Sequence, residues 1–332
     1  MDSATFYILL VILTAYIFDF INGFHDAANS IATIVSTGVL TPAQAVAWAA
    51  FFNFIAFMFF SLMVAKTIGH DLVNPSVIST DFIFAALIGA IVWNLITWYY
   101  GLPSSSSHAL IGGMAGAGIY TGGFSVLKAS GFIKVGLGIV LSPLVGFLAS
   151  FLLTVVMGFL LKRFSEEKLN NTFKGFQLAS SALLSLTHGG NDAQKTMGII
   201  AVLLFSANWL GDTFYVPFWV VISCHAVISL GTLAGGWRIV HTMGTKITTL
   251  NTFTGCTAET GAAAIIYACT EYGVPVSTTQ TVTGSITGVG LANGWHQTHW
   301  PILRKIFLAW VLTIPAAGLV AAFLFMMMSW FH

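Results

Sequence analysis

From Val135 to Leu161 the chain runs without a single Asp, Glu, Lys or Arg. A helix that crosses a bilayer takes about 20 apolar residues, and this tract exceeds that. Other charge-free tracts follow the same pattern: Ala43–Ala65, Phe82–Tyr100, Phe214–Gly235 and Ile306–Phe331. Phe6–Phe18 opens a further one, and Gly261–Cys269 with its neighbours adds another. In lipid a segment has to satisfy its own backbone polar groups, so each tract reads as a helix rather than an open strand. Pro143 predicts a kink in the longest one.

Composition agrees. Of 332 residues, 57% are hydrophobic and 7% charged, whereas soluble chains carry about 25% charged residues. Such a chain has too little polar surface to face water, so the bilayer is its expected partner. The net charge of +1 excludes the strongly basic face of a nucleic-acid-binding protein. Cys224, Cys256 and Cys269 form no CxxC pair and no zinc spacing, and read as small apolar residues inside a bundle. The stretch Met1 to Phe18 has no basic residue, the first Lys being Lys66. It therefore reads as a retained first span, not a cleaved signal peptide.

The densest charge run is Lys162, Arg163, Glu166, Glu167, Lys168 and Lys174. It divides the chain into a first membrane repeat, 1–161, a charged linker, 162–175, and a second repeat, 176–332. The linker is expected to be a solvated loop, and its basic residues favour the cytoplasmic side. The halves repeat their motifs in order. Gly23-Phe-His25-Asp26-Ala27 lines up with Gly189-Gly-Asn191-Asp192-Ala193, and Gly101-Leu-Pro103-Ser-Ser105 with Gly273-Val-Pro275-Val-Ser277. A duplicated half is typical of secondary transporters, whose site lies at the repeat interface. Inverted topology is preferred, because two like motifs then meet near the midplane.

Asp26 lies in a mostly apolar run. A carboxylate at membrane depth costs about 2.5–3.5 kcal/mol on insertion scales and usually faces a cavity, a cation or a proton path. On a helix Asn22, Asp26, Asn29 and Ser30 share one side, offering hard oxygens to a small cation. The bland alternative is that Asp26 caps a helix starting near Ala27. Asn191 and Asp192 repeat the arrangement. Lys195 either pairs with Asp192 one turn away, the favoured reading, or faces an anionic substrate. His25 and His188 are either proton carriers or, as expected for each, hydrogen-bonded structural histidines. Glu259 is a further acidic residue in an apolar context; it either completes another cation site or makes a structural hydrogen bond.

The remaining motifs are Pro103-Ser104-Ser105-Ser106-Ser107-His108 and Pro275-Val276-Ser277-Thr278-Thr279-Gln280. Pro followed by Ser or Thr and a Gly-rich apolar run describes a helix N-terminus. Free N–H groups, the helix dipole and the hydroxyls attract an anion there. Ser104, Ser105, Ser106, Ser107, Ser277, Thr278 and Thr279 are thus candidate anion ligands. The alternative is ordinary capping at two span ends. The segments that follow, Ile111–Tyr120 and Thr283–Leu291, look too short to cross a membrane, which points to broken or re-entrant helices. Gly112 and Gly116 read as close helix packing. No Walker motif occurs, so ATP-driven transport is not expected.

At these residues the chain resembles the PiT-type inorganic phosphate transporters, the sodium– or proton–phosphate symporters. The resemblance is carried by Phe20 to Thr33, His188 to Gly198 and the two Pro-Ser/Thr blocks, in the family's order. It implies an all-α integral membrane protein with an inverted-repeat transporter fold. About a dozen membrane segments, including re-entrant or broken helices, and a homodimer in the plasma (inner) membrane are implied with it. It further implies coupling-ion sites at Asp26 and Asp192, with sodium as one candidate ion, and phosphate surrounded by Ser105–Ser107 and Ser277–Thr279. Gly38 stands where the family often has Arg, Gln280 where it often has His, and Gly190 where it often has Ala; no Asp or hydroxyl of the proposed site is replaced. The resulting expectation is cation-coupled phosphate uptake, with sodium or proton as coupling ion, no cofactor and no enzymatic activity. The alternatives are a sulfate or metal–phosphate permease, an anion channel and, last, an intramembrane enzyme, for which the duplicated motifs give no distinct nucleophile and base.

Overall fold

The computed structural model describes residues 2–74 and 77–330. Twelve α-helices carry the fold among these residues, in an order that runs twice through the same series. The first pass is α1 (Ser3–Ser36), α2 (Pro42–Ile55), α3 (Met63–His70), α4 (Thr80–Tyr99), α5 (Ser106–Gly122) and α6 (Ala129–Leu161). The second is α7 (Glu166–Ser206), α8 (Phe218–Ala234), α9 (Trp237–His241), α10 (Thr252–Glu271), α11 (Thr278–Ala292) and α12 (Trp300–Ser329). In each pass a long first helix is followed by a bent pair. The bend is 85° between the α2 and α3 segments and 64° between the α8 and α9 segments. In each pass the last helix has one proline in its interior, Pro143 in α6 and Pro315 in α12.

Local sequence sets the helix starts. Thr41 caps α2 with a capping box and Pro42 in the first turn. Asn251 does the same for α10 with Thr254, and the side chains of Ser79, Ser105, Ser165 and Ser277 each accept a backbone N–H of their helix. These oxygens satisfy donors that a helix start otherwise leaves orphaned.

The first helices of the two passes run antiparallel. The Thr196 hydroxyl donates to Asp19 Oδ1 at 2.8 Å, and the Thr37 hydroxyl donates to Gln177 Oε1 at 3.0 Å. Ascending α1 therefore descends α7, which is the relation an inverted repeat requires. The last helices are exchanged. α6 packs on α11 and α10, whereas α12 packs on α5 and α4. Glycines make this approach close: a Cβ at Gly112 would meet Ile314 O at 2.5 Å, and one at Gly284 would meet Pro143 O at 2.2 Å.

Among the described residues, five helices are long and apolar enough to cross a membrane, or seven if each bent pair counts as one span. On α6 the outward side chains Ile133, Leu137, Val140, Leu144, Leu148 and Leu152 are exposed. The interior instead holds Asp19, Asn22, Asp26, Asp192, Lys195 and Glu259, all at most 2% exposed. This distribution fits lipid as the outer solvent and a polar seam as the core. The chain is a multi-pass integral membrane protein.

Several expectations change. The charged stretch is mostly not a loop: Ser165 caps α7, so only residues 162–165 separate the two long helices. Ala43–Ala65 is not one straight span but is broken near Phe59 and Phe60. Asp26 caps nothing, since it sits within α1. The segment expected at Ile111–Tyr120 extends to Ser106–Val126 and is long enough to cross, while α11 remains at 15 residues.

Candidate functional site

Four elements converge on one buried locus. α1 brings Asn22, His25, Asp26 and Asn29, and α7 brings His188, Asn191, Asp192 and Lys195. The starts of α5 and α11 bring Ser104–Ser107 and Ser277–Thr279. The Asp26 carboxylate lies 2.7 Å from His25 Nδ1, and it accepts from the hydroxyls of Ser106 (2.8 Å) and Thr279 (3.2 Å). Asp192 accepts from Lys195 Nζ at 2.5 Å and from the Thr278 hydroxyl at 3.1 Å, and His188 Nε2 approaches it to 3.3 Å. Asp26, His188 and Asp192 each present a ligand atom within 4.8 Å of the others. The two Asp-centred motifs therefore meet.

The hydroxyl blocks divide into two jobs. Ser105 and Ser277 are N-caps; they accept the N–H groups of His108 and Gln280, each at 3.2 Å. Ser106, Thr278 and Thr279 turn to the carboxylates. Asn29 Nδ2 donates to the hydroxyls of Thr278 (3.2 Å) and Thr279 (3.0 Å), tying α1 to α11. The Ser104 hydroxyl donates to Thr97 Oγ1 at 2.8 Å, and Ser107 donates to Val276 O at 3.5 Å. The amides of Ser106, Ser107, Thr278 and Thr279 lie in first helical turns, where no intrahelical acceptor exists. All the hydroxyl residues here are at most 3% exposed. The residues of the site are thus buried from solvent.

Lys195 takes the paired reading: its ammonium bonds Asp192 and also Val276 O at 3.2 Å. The histidines are engaged by protein. His25 Nε2 contacts Thr97 Oγ1 at 3.1 Å, and His188 Nδ1 contacts Asn53 Oδ1 at 3.3 Å. Asn191 donates to Thr270 Oγ1 at 2.8 Å. Glu259 is apart from this locus. It accepts from Gln177 Nε2 at 3.1 Å and from the Ser180 hydroxyl. Along α7, Ser180 precedes Asp192 by three turns or more, about 18 Å at 1.5 Å per residue.

Sequence reasoning missed Thr97 and Thr270, which anchor His25 and Asn191. One signal was present: each is a threonine one turn ahead of Gly101 or Gly273. It also missed Gln194, whose Oε1 accepts the first N–H groups of α3, from Val64 (3.0 Å) and Ala65 (3.2 Å). That contact arises only because a break in another helix faces it.

Known proteins align with this geometry. The model of the phosphate transporter family matches residues 22–321. A probable low-affinity inorganic phosphate transporter of Rhizobium meliloti is 56% identical over 97% of both chains. One from Bacillus subtilis with the same description is 42% identical over 99% of both. Among solved structures, a sodium-dependent phosphate transporter superposes with a TM-score of 0.87, at 26% identity, covering 97% of this chain and 99% of the other.

Proposed function

Since the chain belongs to the phosphate transporter family and is a phosphate transporter by that membership, we propose that it imports phosphate by cation-coupled alternating access. The sodium dependence stated for the structural relative supports a cation partner, and sodium or a proton is the ion. The observation that carries the proposal is the meeting of Asp26 and Asp192 beside two hydroxyl-lined helix starts.

The roles divide by chemistry. Asn22, Asp26, Asn29, Asn191 and Asp192 hold the coupling cation, with sodium at Asp26 and Asp192 if sodium is the ion. Ser104, Ser105, Ser106, Ser107, Ser277, Thr278 and Thr279 surround phosphate with hydroxyl and N–H donors at opposed helix N-termini. Lys195 balances charge at Asp192, and His25 and His188 orient the carboxylates. Glu259 serves the cation away from the phosphate locus. Repeats 1–161 and 176–332 are joined through 162–175 on the cytoplasmic side, and the units that move are each repeat's helices with the other repeat's last helix packed on them. The protein works in the plasma membrane as a homodimer, which its mass in native detergent particles tests.

Coupling matters because phosphate carries negative charge into a site that already holds two carboxylates. A cation between them lowers that repulsion, so anion and cation bind best together. Proteoliposomes with sodium and pH gradients imposed separately test this. Phosphate uptake that rises with one gradient supports the proposal, and uptake indifferent to both overturns it.

A second reading rests on His188. An imidazole with two carboxylates suits a divalent transition metal better than sodium. Metal–phosphate would then be the cargo. Uptake that requires added divalent metal, with no response to sodium or proton gradients, selects this reading.

A further inference from the structure

Asp19 has no part in the assignments above. It lies on α1 with 0% exposure, and Thr196 is the residue that donates to it, leaving Oδ2 without a hydrogen-bond partner among the described residues. Asn22, one turn further along the same face, also has 0% exposure, and neither of its amide atoms has a hydrogen-bond partner among the described residues. A buried carboxylate is expensive at membrane depth unless a charge or full hydrogen bonding compensates it. The nearby ammonium of Lys195 is already bonded to Asp192. The groups that act electrostatically on Asp19 are Asp192 and Lys195, while Tyr16 and Cys224 lie close enough to feel its charge.

The placement has a pattern. Tyr16, Asp19, Asn22, Asp26, Asn29 and Thr33 follow one another at three- and four-residue steps on α1. They form one stripe on one face. It is about 26 Å long at 1.5 Å per residue, close to the ~30 Å of a bilayer core. α7 lines the facing side with Gln177, Ser181, Ser185, His188, Asp192 and Thr196. Hydrogen bonds from Thr196 to Asp19 and from Thr37 to Gln177 fix the two stripes against each other at both ends.

We propose that Asp19 is a second station for the coupling cation on the α1–α7 seam, two helical turns from Asp26, with Asn22 between them as a ligand shared with the central site. Asp19 Oδ2 and Asn22 Oδ1 are hard oxygens suited to a small monovalent cation, either sodium or a proton carried as hydronium. The station hands the cation to or from the central site without touching phosphate. This inference rests on the cation-coupled reading of the central site.

The test uses purified full-length protein in proteoliposomes. Two rates are compared: phosphate uptake driven by a sodium or pH gradient, and phosphate–phosphate exchange with equal cation on both sides. In the parent protein, whichever gradient drives uptake identifies the ion; if neither does, the coupled reading itself fails. Asp19→Asn should raise the cation concentration for half-maximal uptake about 10-fold, while phosphate half-saturation in exchange stays within about 2-fold. Asp19→Glu should restore most of the cation response. Thr196→Val, which removes only the hydroxyl bonded to Asp19, should shift cation half-saturation by about 3-fold in the same assay, and keeps the test open if Asp19→Asn does not fold. A coupled parent protein whose Asp19 and Thr196 variants keep the parental cation dependence overturns the inference. So does a parallel loss of driven uptake and exchange, which marks a structural role.

Discussion

The Asp26 and Asp192 halves of the site share a plan and differ at one decisive position. In each, a carboxylate on the first long helix accepts a hydroxyl from the start of that half's own α5 or α11: Ser106 for Asp26, Thr278 for Asp192. One turn on, the first half has Asn29 and the second has Lys195. Asn29 spends its amide on Thr278 and Thr279 across the seam, whereas Lys195 neutralises the carboxylate beside it. One half therefore has only an imidazole and hydroxyls beside its carboxylate, and the other carries a tethered ammonium as counter-ion. Duplication supplies two like motifs; a single side chain gives the second a fixed ammonium beside its carboxylate that the first lacks.

Five substitutions and one rescue break or sharpen this contrast. Asp192→Asn should have the largest effect. It strands the buried Lys195 ammonium and should lower stability by about 3–5 kcal/mol, read as a fall in melting temperature with loss of uptake; Lys195→Gln in the same chain should recover the fold. Asp26→Asn strands no ammonium. It should melt near the parent yet lose about 100-fold of cation-driven phosphate uptake. Equal destabilisation by the two Asp substitutions would remove the asymmetry.

Lys195→Asn makes the second half resemble the first. Phosphate uptake should persist, with the cation Hill coefficient rising by about 1 and thermal stability becoming more strongly cation-dependent. An unchanged Hill coefficient would show that Lys195 does not stand in for a cation. Ser106→Ala and Thr278→Val should be mildest. Each removes one hydroxyl bond to its carboxylate, about 1 kcal/mol or several-fold in half-saturation. The Ser106 change should be the larger because Asp26 has no ammonium to fall back on.

Much of this was legible before any coordinates. The apolar tracts, the two Asp motifs and the Pro-Ser/Thr helix starts depend on local chemistry, and local chemistry is written in sequence. The Asp192–Lys195 pair is one helical turn long, so spacing alone favoured it. What stayed hidden depends on distant partners. Whether Ser105 caps its helix while Ser106 reaches Asp26 depends on how α1 lies against α5. The break near Phe59 cannot be read from an apolar tract without proline, because Gln194 on α7 receives the orphan N–H groups that make it tolerable. Asp19 stands seven residues before Asp26 in the sequence, but spacing alone gives it no role; its partner Thr196 comes from the other half. The charge run looked like a loop because its composition is polar; Ser165 and the long α7 made it helix instead.

The exchange of α6 and α12 has a consequence for synthesis. The glycine face of α5 is covered by α12, which begins roughly 180 residues after α5 ends, a delay of about 10–40 s at ordinary translation rates. During that interval the first half holds a membrane-embedded groove whose proper occupant does not yet exist. α6 waits likewise for α11. Each half is therefore a template completed by the other, and a nascent chain stopped after Leu161 should remain a target for membrane quality control, whatever the merit of its individual helices.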